Sequence, residues 1–144
     1  MTHIALQVAQ SQARGIYVNE ARRPLVLVLD DEALIAFDLA ATIEDLGAKV
    51  LGPATSLKEG FALCEQAAPH YALLDIDVSG QLVWPLARHL AEQGSRVIFV
   101  SANANHRELK DEFDNSPVVD KPAGQADIVS ALGRAGFPNP RALA

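Results

Sequence analysis

Three short, uninterrupted apolar runs recur along the chain: Leu25 to Leu29, Tyr71 to Leu74 and Val97 to Val100. Each is too short for a buried helix and has a β-favouring composition. A run that is apolar at every position, rather than at alternate ones, is the pattern of a strand covered on both faces, as in a parallel sheet. Lys49 to Leu51 and Val118 to Val119 fit the same scheme as two weaker strands.

Between these runs the spacing turns helical. Glu32 to Leu46 sets Ile35, Leu39, Ile43 and Leu46 on one stripe, and Gly47 follows as a stop. Ser56-Leu57-Lys58-Glu59 has the form of a capping box and opens a helix that ends before Pro69. Trp84 to Gln93 is a third helix, with Pro85 in its first turn and Gly94 at its end. His106 to Phe113 is a short polar fourth. Gln125 to Ala135 is the fifth, stopped by Gly136 and Pro138. Strand and helix thus alternate five times, which predicts an α/β fold: a doubly wound five-stranded parallel sheet with helices on both faces. Residues 25–135 make this one domain. Residues 1–24 form an N-terminal arm or tail, where Ile4, Leu6 and Val8 alternate and a hairpin and a helix fit equally. Residues 136–144 form a C-terminal tail.

Charge and composition narrow the function classes. Twelve basic against eighteen acidic residues give a net charge of -6, which makes the chain a poor candidate for non-specific nucleic-acid binding, since that needs a basic face. The single cysteine, Cys64, excludes an internal disulfide and any CxxC motif, and reads as a small core residue. No apolar stretch approaches the length of a membrane span, and the N-terminus lacks the pattern of a signal peptide. The expected location is cytoplasmic, with neither membrane nor nucleic acid as partner. The four histidines share no metal-ligand spacing.

In open α/β sheets the ligand sits beyond the carboxyl ends of the strands. The first strand ends in Asp30-Asp31, the third in Asp75, the fourth in Ser101 and the fifth in Lys121, followed by Pro122. Each has an ordinary reading as a helix cap, turn residue, loop bond or solvated charge. Together they are chemically complementary. Two or three carboxylates can hold Mg²⁺, a hard cation that takes oxygen ligands. Asp75 can be a nucleophile or a ligand. Lys121 and the Ser101 hydroxyl would each pair with a phosphoryl oxygen, and the small Ala102 leaves that group accessible.

The segments LVLVLDDE at 25–32, ALLDID at 72–77, VIFVSA at 97–102 and DKP at 120–122 carry a resemblance. In them the chain resembles a response-regulator receiver domain of bacterial two-component signalling, of the stand-alone type. The resemblance implies a flavodoxin-like (βα)5 fold with strand order 2-1-3-4-5. It implies Asp75 as phosphoacceptor, with Mg²⁺ held by Asp30, Asp31, Asp75 and the Asp77 backbone carbonyl. It makes Ser101 the switch hydroxyl, Lys121 the phosphate-binding lysine and Ala102 the small access residue. The Lys-Pro bond is often cis in that family. The implied function is acceptance of a phosphoryl group from a histidine kinase or phosphotransfer protein, followed by a conformational change that regulates a protein partner. No output domain is expected, and no enzymatic activity beyond its own phosphorylation and dephosphorylation. A phosphoryl sink, and a homodimer through the N-terminal arm or a sheet edge, belong to the same reading.

The stretch GQLVWPLARHL at 80–90 resembles a subgroup of small receivers. One departure is Val118, three before Lys121, where many receivers carry an aromatic that turns inward. The segment between Ser101 and Val118 is also short and polar. An alternative of a different class is a haloacid-dehalogenase-type phosphatase, with Asp75 as nucleophile and Asp77 as general acid. The motif order argues against it, because the acidic pair precedes Asp75. Two residues apart on one strand, Asp75 and Asp77 are expected to share a face, so that Asp77 overlooks the phosphoryl group and assists attack by water. Trp84 is expected to be a packing residue and a fluorescence reporter.

Overall fold

The computed structural model describes residues 23–138. The strands of the main sheet are β1 (Leu25–Leu29), β2 (Lys49–Ala54), β3 (Tyr71–Asp75), β6 (Arg96–Ser101) and β7 (Val118–Asp120). They pair in parallel in the order β2-β1-β3-β6-β7. This is the 2-1-3-4-5 order once a small separate hairpin, β4 (Asp77–Val78) with β5 (Gln81–Leu82), is set aside. The helices are α1 (Ala33–Asp45), α2 (Leu57–Gln66), α3 (Trp84–Glu92), α4 (Arg107–Asp111) and α5 (Gln125–Arg134).

The unbroken apolar runs arise because each strand serves two cores. Leu27, Leu29, Leu74 and Phe99 face one layer, with Leu86 and Leu90 of α3 and Cys64 of α2. Val26, Val28, Leu73, Ile98 and Val100 face the other, with Leu39 and Ile43 of α1 and Ile128 and Leu132 of α5. A one-sided sheet would need polar residues at every second position, and these strands have none. Burial also pushes the Cys64 thiol pKa up, as befits an inert core residue.

Helix ends follow local chemistry. Gly47 stands at φ +86 just beyond α1, the left-handed position that stops a helix at little steric cost. At α2, Ser56 Oγ accepts the Glu59 amide proton at 3.1 Å, and the Glu59 carboxylate accepts from the Ser56 hydroxyl. No helix among the described residues is long and apolar enough to cross a membrane.

Three differences from the sequence reading have physical causes. β2 runs on past Leu51 to Ala54, through a cis Gly52-Pro53 bond and a break in register opposite β1. An edge strand tolerates the missing proline donor, so this pair did not end it. The hairpin turns at Ser79-Gly80, with φ of +53 and +82, the backbone of a tight two-residue β-turn. At the other end, Phe137 is buried against Tyr71, ring centroids 5.2 Å apart, so the core reaches two residues past Ala135. Of the arm expected over residues 1–24, residues 1–22, and of the tail expected over 136–144, residues 139–144, lie outside the described residues.

Candidate phosphoacceptor site

All the main strands point their carboxyl ends to one rim. Leu29 of β1 is paired with Leu74 of β3, which sets Asp30 beside Asp75. Asp75 is paired with Val100, and Ser101 with Asp120, so Ser101 and Lys121 follow on the same edge. The four motifs, distant in sequence, meet here because parallel pairing leaves them no other place.

Lys121 is the centre of the cluster. Its Nζ lies 2.8 Å from Asp30 Oδ2 and 3.3 Å from Asp75 Oδ2. Asp30 is fully buried; its other oxygen accepts the Glu32 amide proton at 2.9 Å, at the entrance to α1. Burial works against the Lys121 ammonium, but Asp30 and Asp75 outweigh it and push its pKa up. The Lys121-Pro122 peptide is cis.

Burial, and then the charge of Asp30, push the Asp75 carboxyl up to about 7, against the pull of Lys121. Asp31 goes the other way. Burial raises its pKa, but hydrogen bonds from the Ser79 amide, from Asp75 and from the Ser79 hydroxyl, with the Lys121 charge, outweigh it and hold the carboxyl below its ordinary value. The Ser79 amide donates to Asp31 Oδ2 at 2.8 Å, so the hairpin tip is latched to the acidic pair.

Asp30, Asp31 and Glu32 can bring carboxylate oxygens within 4.8 Å of one another. The donor set is entirely oxygen, and three carboxylates, Asp30, Asp31 and Asp75, face a single ammonium. Burial is the main cause of the raised Asp75 pKa, and the charges of Asp30 and Asp31 add to it against the pull of Lys121. The residues therefore fit a hard divalent ion such as Mg²⁺.

Ser101 is buried, and its hydroxyl is occupied: Oγ donates to the Asn103 carbonyl at 2.8 Å and accepts the Asn103 amide proton at 3.1 Å. Ala102 is exposed, and with Lys121 it lines an open groove of about 780 Å³ between α1 and α5. Asp77 corrects the face-sharing expectation. The chain bends at Ile76, and the exposed Asp77 carboxylate accepts the Gly80 amide proton at 2.9 Å. It serves the hairpin turn. Sequence reasoning missed Ser79, Glu32 and Asn103; the signal for the first was the Ser-Gly pair, a turn dipeptide, directly after the Asp75 strand.

No family model matches this chain. A curated relative, the phyllosphere-induced regulator PhyR of Methylorubrum extorquens, is 36% identical over 84 residues, covering 53% of this chain and 31% of that protein. The chain therefore spans about a third of the length of that relative. Among solved structures, the receiver domain of the Erythrobacter litoralis PhyR response regulator superposes with a TM-score of 0.71 at 22% identity, over 84% of this chain and 95% of that one. The response regulator PhyR from Brucella abortus gives 0.68 at 27% identity, over 90% and 52%. A Burkholderia pseudomallei response regulator, solved with a phosphorylated aspartic acid, a calcium ion and citrate, gives 0.68 at 21%, over 78% and 69%. The fold is that of the response-regulator receiver domain, and the chain resembles these regulators.

Proposed function

We propose that this receiver-fold chain is a cytoplasmic phosphoacceptor module, which takes a phosphoryl group from a phosphohistidine donor onto Asp75 and changes conformation to regulate a protein partner. One observation carries the reading: Asp75 ends its strand between an acidic pair, the buried Asp30 and the part-exposed Asp31, and the ammonium of Lys121, 3.3 Å away. In the transfer, an Asp75 carboxylate oxygen attacks phosphorus in line with the leaving imidazole. The O–P bond forms, the N–P bond breaks, and the imidazole keeps the electron pair.

Attack needs Asp75 ionised, which burial and the charge of Asp30 oppose by pushing its pKa up to about 7. Lys121, already poised between Asp30 and Asp75, supplies one fixed positive charge toward the transferred group. Mg²⁺, when bound by Asp31 and Asp75 with Asp30 beside them and the Asp77 carbonyl as a further ligand, supplies the rest of the neutralising charge. Ser101 offers its hydroxyl to a phosphoryl oxygen only by leaving Asn103, which makes it a two-position element. The phosphorylated aspartic acid of the Burkholderia relative agrees with this chemistry on the same fold.

The test is labelling by acetyl phosphate. Wild type is expected to take up one phosphoryl group per chain in Mg²⁺ and none in EDTA, while Asp75→Asn takes up none. Labelling that survives Asp75→Asn refutes the reading. Continuous release of phosphate from p-nitrophenyl phosphate would favour a phosphatase.

A further inference from the structure

Residue 118 cannot carry a ring-flip signal, because it is valine. The rings lie elsewhere. Trp84, the chain's single tryptophan, opens α3 and is 4% exposed. It packs on Phe99 at 5.6 Å, on His106 at 5.5 Å and on Phe113 at 5.9 Å between ring centroids. Those three rings span the segment that contains Ser101: Phe99 lies two residues before it, His106 caps α4, and Phe113 follows α4.

The buried indole nitrogen of Trp84 has no hydrogen-bond partner. A desolvated N–H left unpaired carries a free-energy cost that any nearby acceptor would relieve. The segment with acceptors to offer is the polar 102–106 loop. It is held as it stands by a short relay: Ser101 Oγ is bonded to both polar groups of the Asn103 backbone, Asn103 Oδ1 accepts the Asn105 amide proton at 2.9 Å, and His106 comes next with its ring on Trp84. The far end of α4 is pinned. Arg88 of α3 makes two hydrogen bonds to Glu112, at 2.6 and 2.7 Å.

We propose that Trp84 is the switch aromatic of this chain: its indole N–H, unpartnered while Ser101 is bonded to Asn103, gains an acceptor from the 102–106 loop when Ser101 turns to a phosphoryl group on Asp75. This rests on the reading of Asp75 as phosphoacceptor. When Ser101 leaves Asn103, the bonds that fix the loop are lost, His106 shifts from the indole, and a loop carbonyl replaces it. Both changes favour the same state, so phosphoryl occupancy and Trp84 repacking are coupled.

The experiment uses the full chain with Mg²⁺ and beryllofluoride, followed by fluorine NMR for bound fluoride and by the indole N–H resonance for Trp84. In wild type, bound-fluoride signals are expected together with a downfield shift of the indole proton. In Ser101→Ala, bound fluoride is expected with the indole unmoved. Trp84→Phe keeps a ring but removes the orphaned donor from the unswitched state, so its beryllofluoride affinity is expected to fall about fivefold. Bound fluoride with an unmoved indole in wild type, an indole shift retained in Ser101→Ala, or unchanged affinity in Trp84→Phe overturns the proposal. Absence of bound fluoride in wild type overturns the phosphoacceptor reading itself.

Discussion

Asp75 should make the metal-free protein less stable as pH rises toward neutrality. Its carboxyl is moved from the ordinary 3.8 to about 7 in the folded chain, by burial and by Asp30. The folded state therefore holds a proton that the unfolded state releases between those two values. Stability falls as pH rises through that window, because there the native chain binds more protons than the unfolded one. At about 1.4 kcal/mol for each tenfold change in proton affinity, the full effect is about 4 kcal/mol; relaxation and water entry around a charged Asp75 reduce it to about 2. Asp75→Asn removes the titrating group while keeping its shape and leaves Lys121 its bond to Asp30. Urea unfolding in EDTA at pH 5 and pH 8 compares the two proteins. Because only the part of the window between pH 5 and about 7 is sampled, wild type is expected to lose about 1–3 kcal/mol relative to Asp75→Asn between these pH values. Mg²⁺ should restore wild type at pH 8 and stabilise the variant, which keeps Asp30 and Asp31 but lacks the Asp75 carboxylate, less. Parallel pH profiles for the two proteins would refute the electrostatic account of the site.

Three further outcomes follow from the same geometry. Replacing Asp30 and Asp31 together by Asn should weaken Mg²⁺ binding at least tenfold, about 1.4 kcal/mol or more, in a calorimetric titration; equal titrations would reject these residues as the metal pocket. Lys121→Met leaves the fully buried Asp30 without its counter-charge and should cost about 3 kcal/mol in urea unfolding at neutral pH, a loss that adding Asp30→Asn partly recovers. Because Asp77 is spent on the Gly80 amide, Asp77→Ala should change the lifetime of an Asp75 acyl phosphate less than about threefold; base assistance from a well-placed carboxylate would show as a change of 10²-fold or more.

Much of the fold was legible because the parallel sheet writes itself into the chain as runs apolar at every position. LVLVL at 25–29 admits no other economical burial, and the helix between it and β2 is bounded by signals with clear mechanisms, such as Gly47. The site was legible for a related reason. A strand end fixes where its next residue goes, so Asp30, Asp75, Ser101 and Lys121 were brought to one rim by topology alone. Two-residue strands escaped notice, since Asp77–Val78 and Gln81–Leu82 are too short to show a period. Their hairpin, in turn, set two features that went unread, the Ser79 latch on Asp31, for which the Ser-Gly turn pair was the only signal, and the outward turn of Asp77. The orphaned indole of Trp84 was equally invisible, because an unmade hydrogen bond depends on packing from three separate segments.

The central claim, that Asp75 accepts the phosphoryl group, is tested most directly by borohydride trapping. Protein phosphorylated by acetyl phosphate in Mg²⁺ is reduced, digested and mapped by mass spectrometry, so that an aspartyl phosphate appears as homoserine. The account predicts homoserine at residue 75 and nowhere else. Homoserine at Asp30, Asp31 or Asp77, or phosphate retained on a histidine with no homoserine formed, would contradict it.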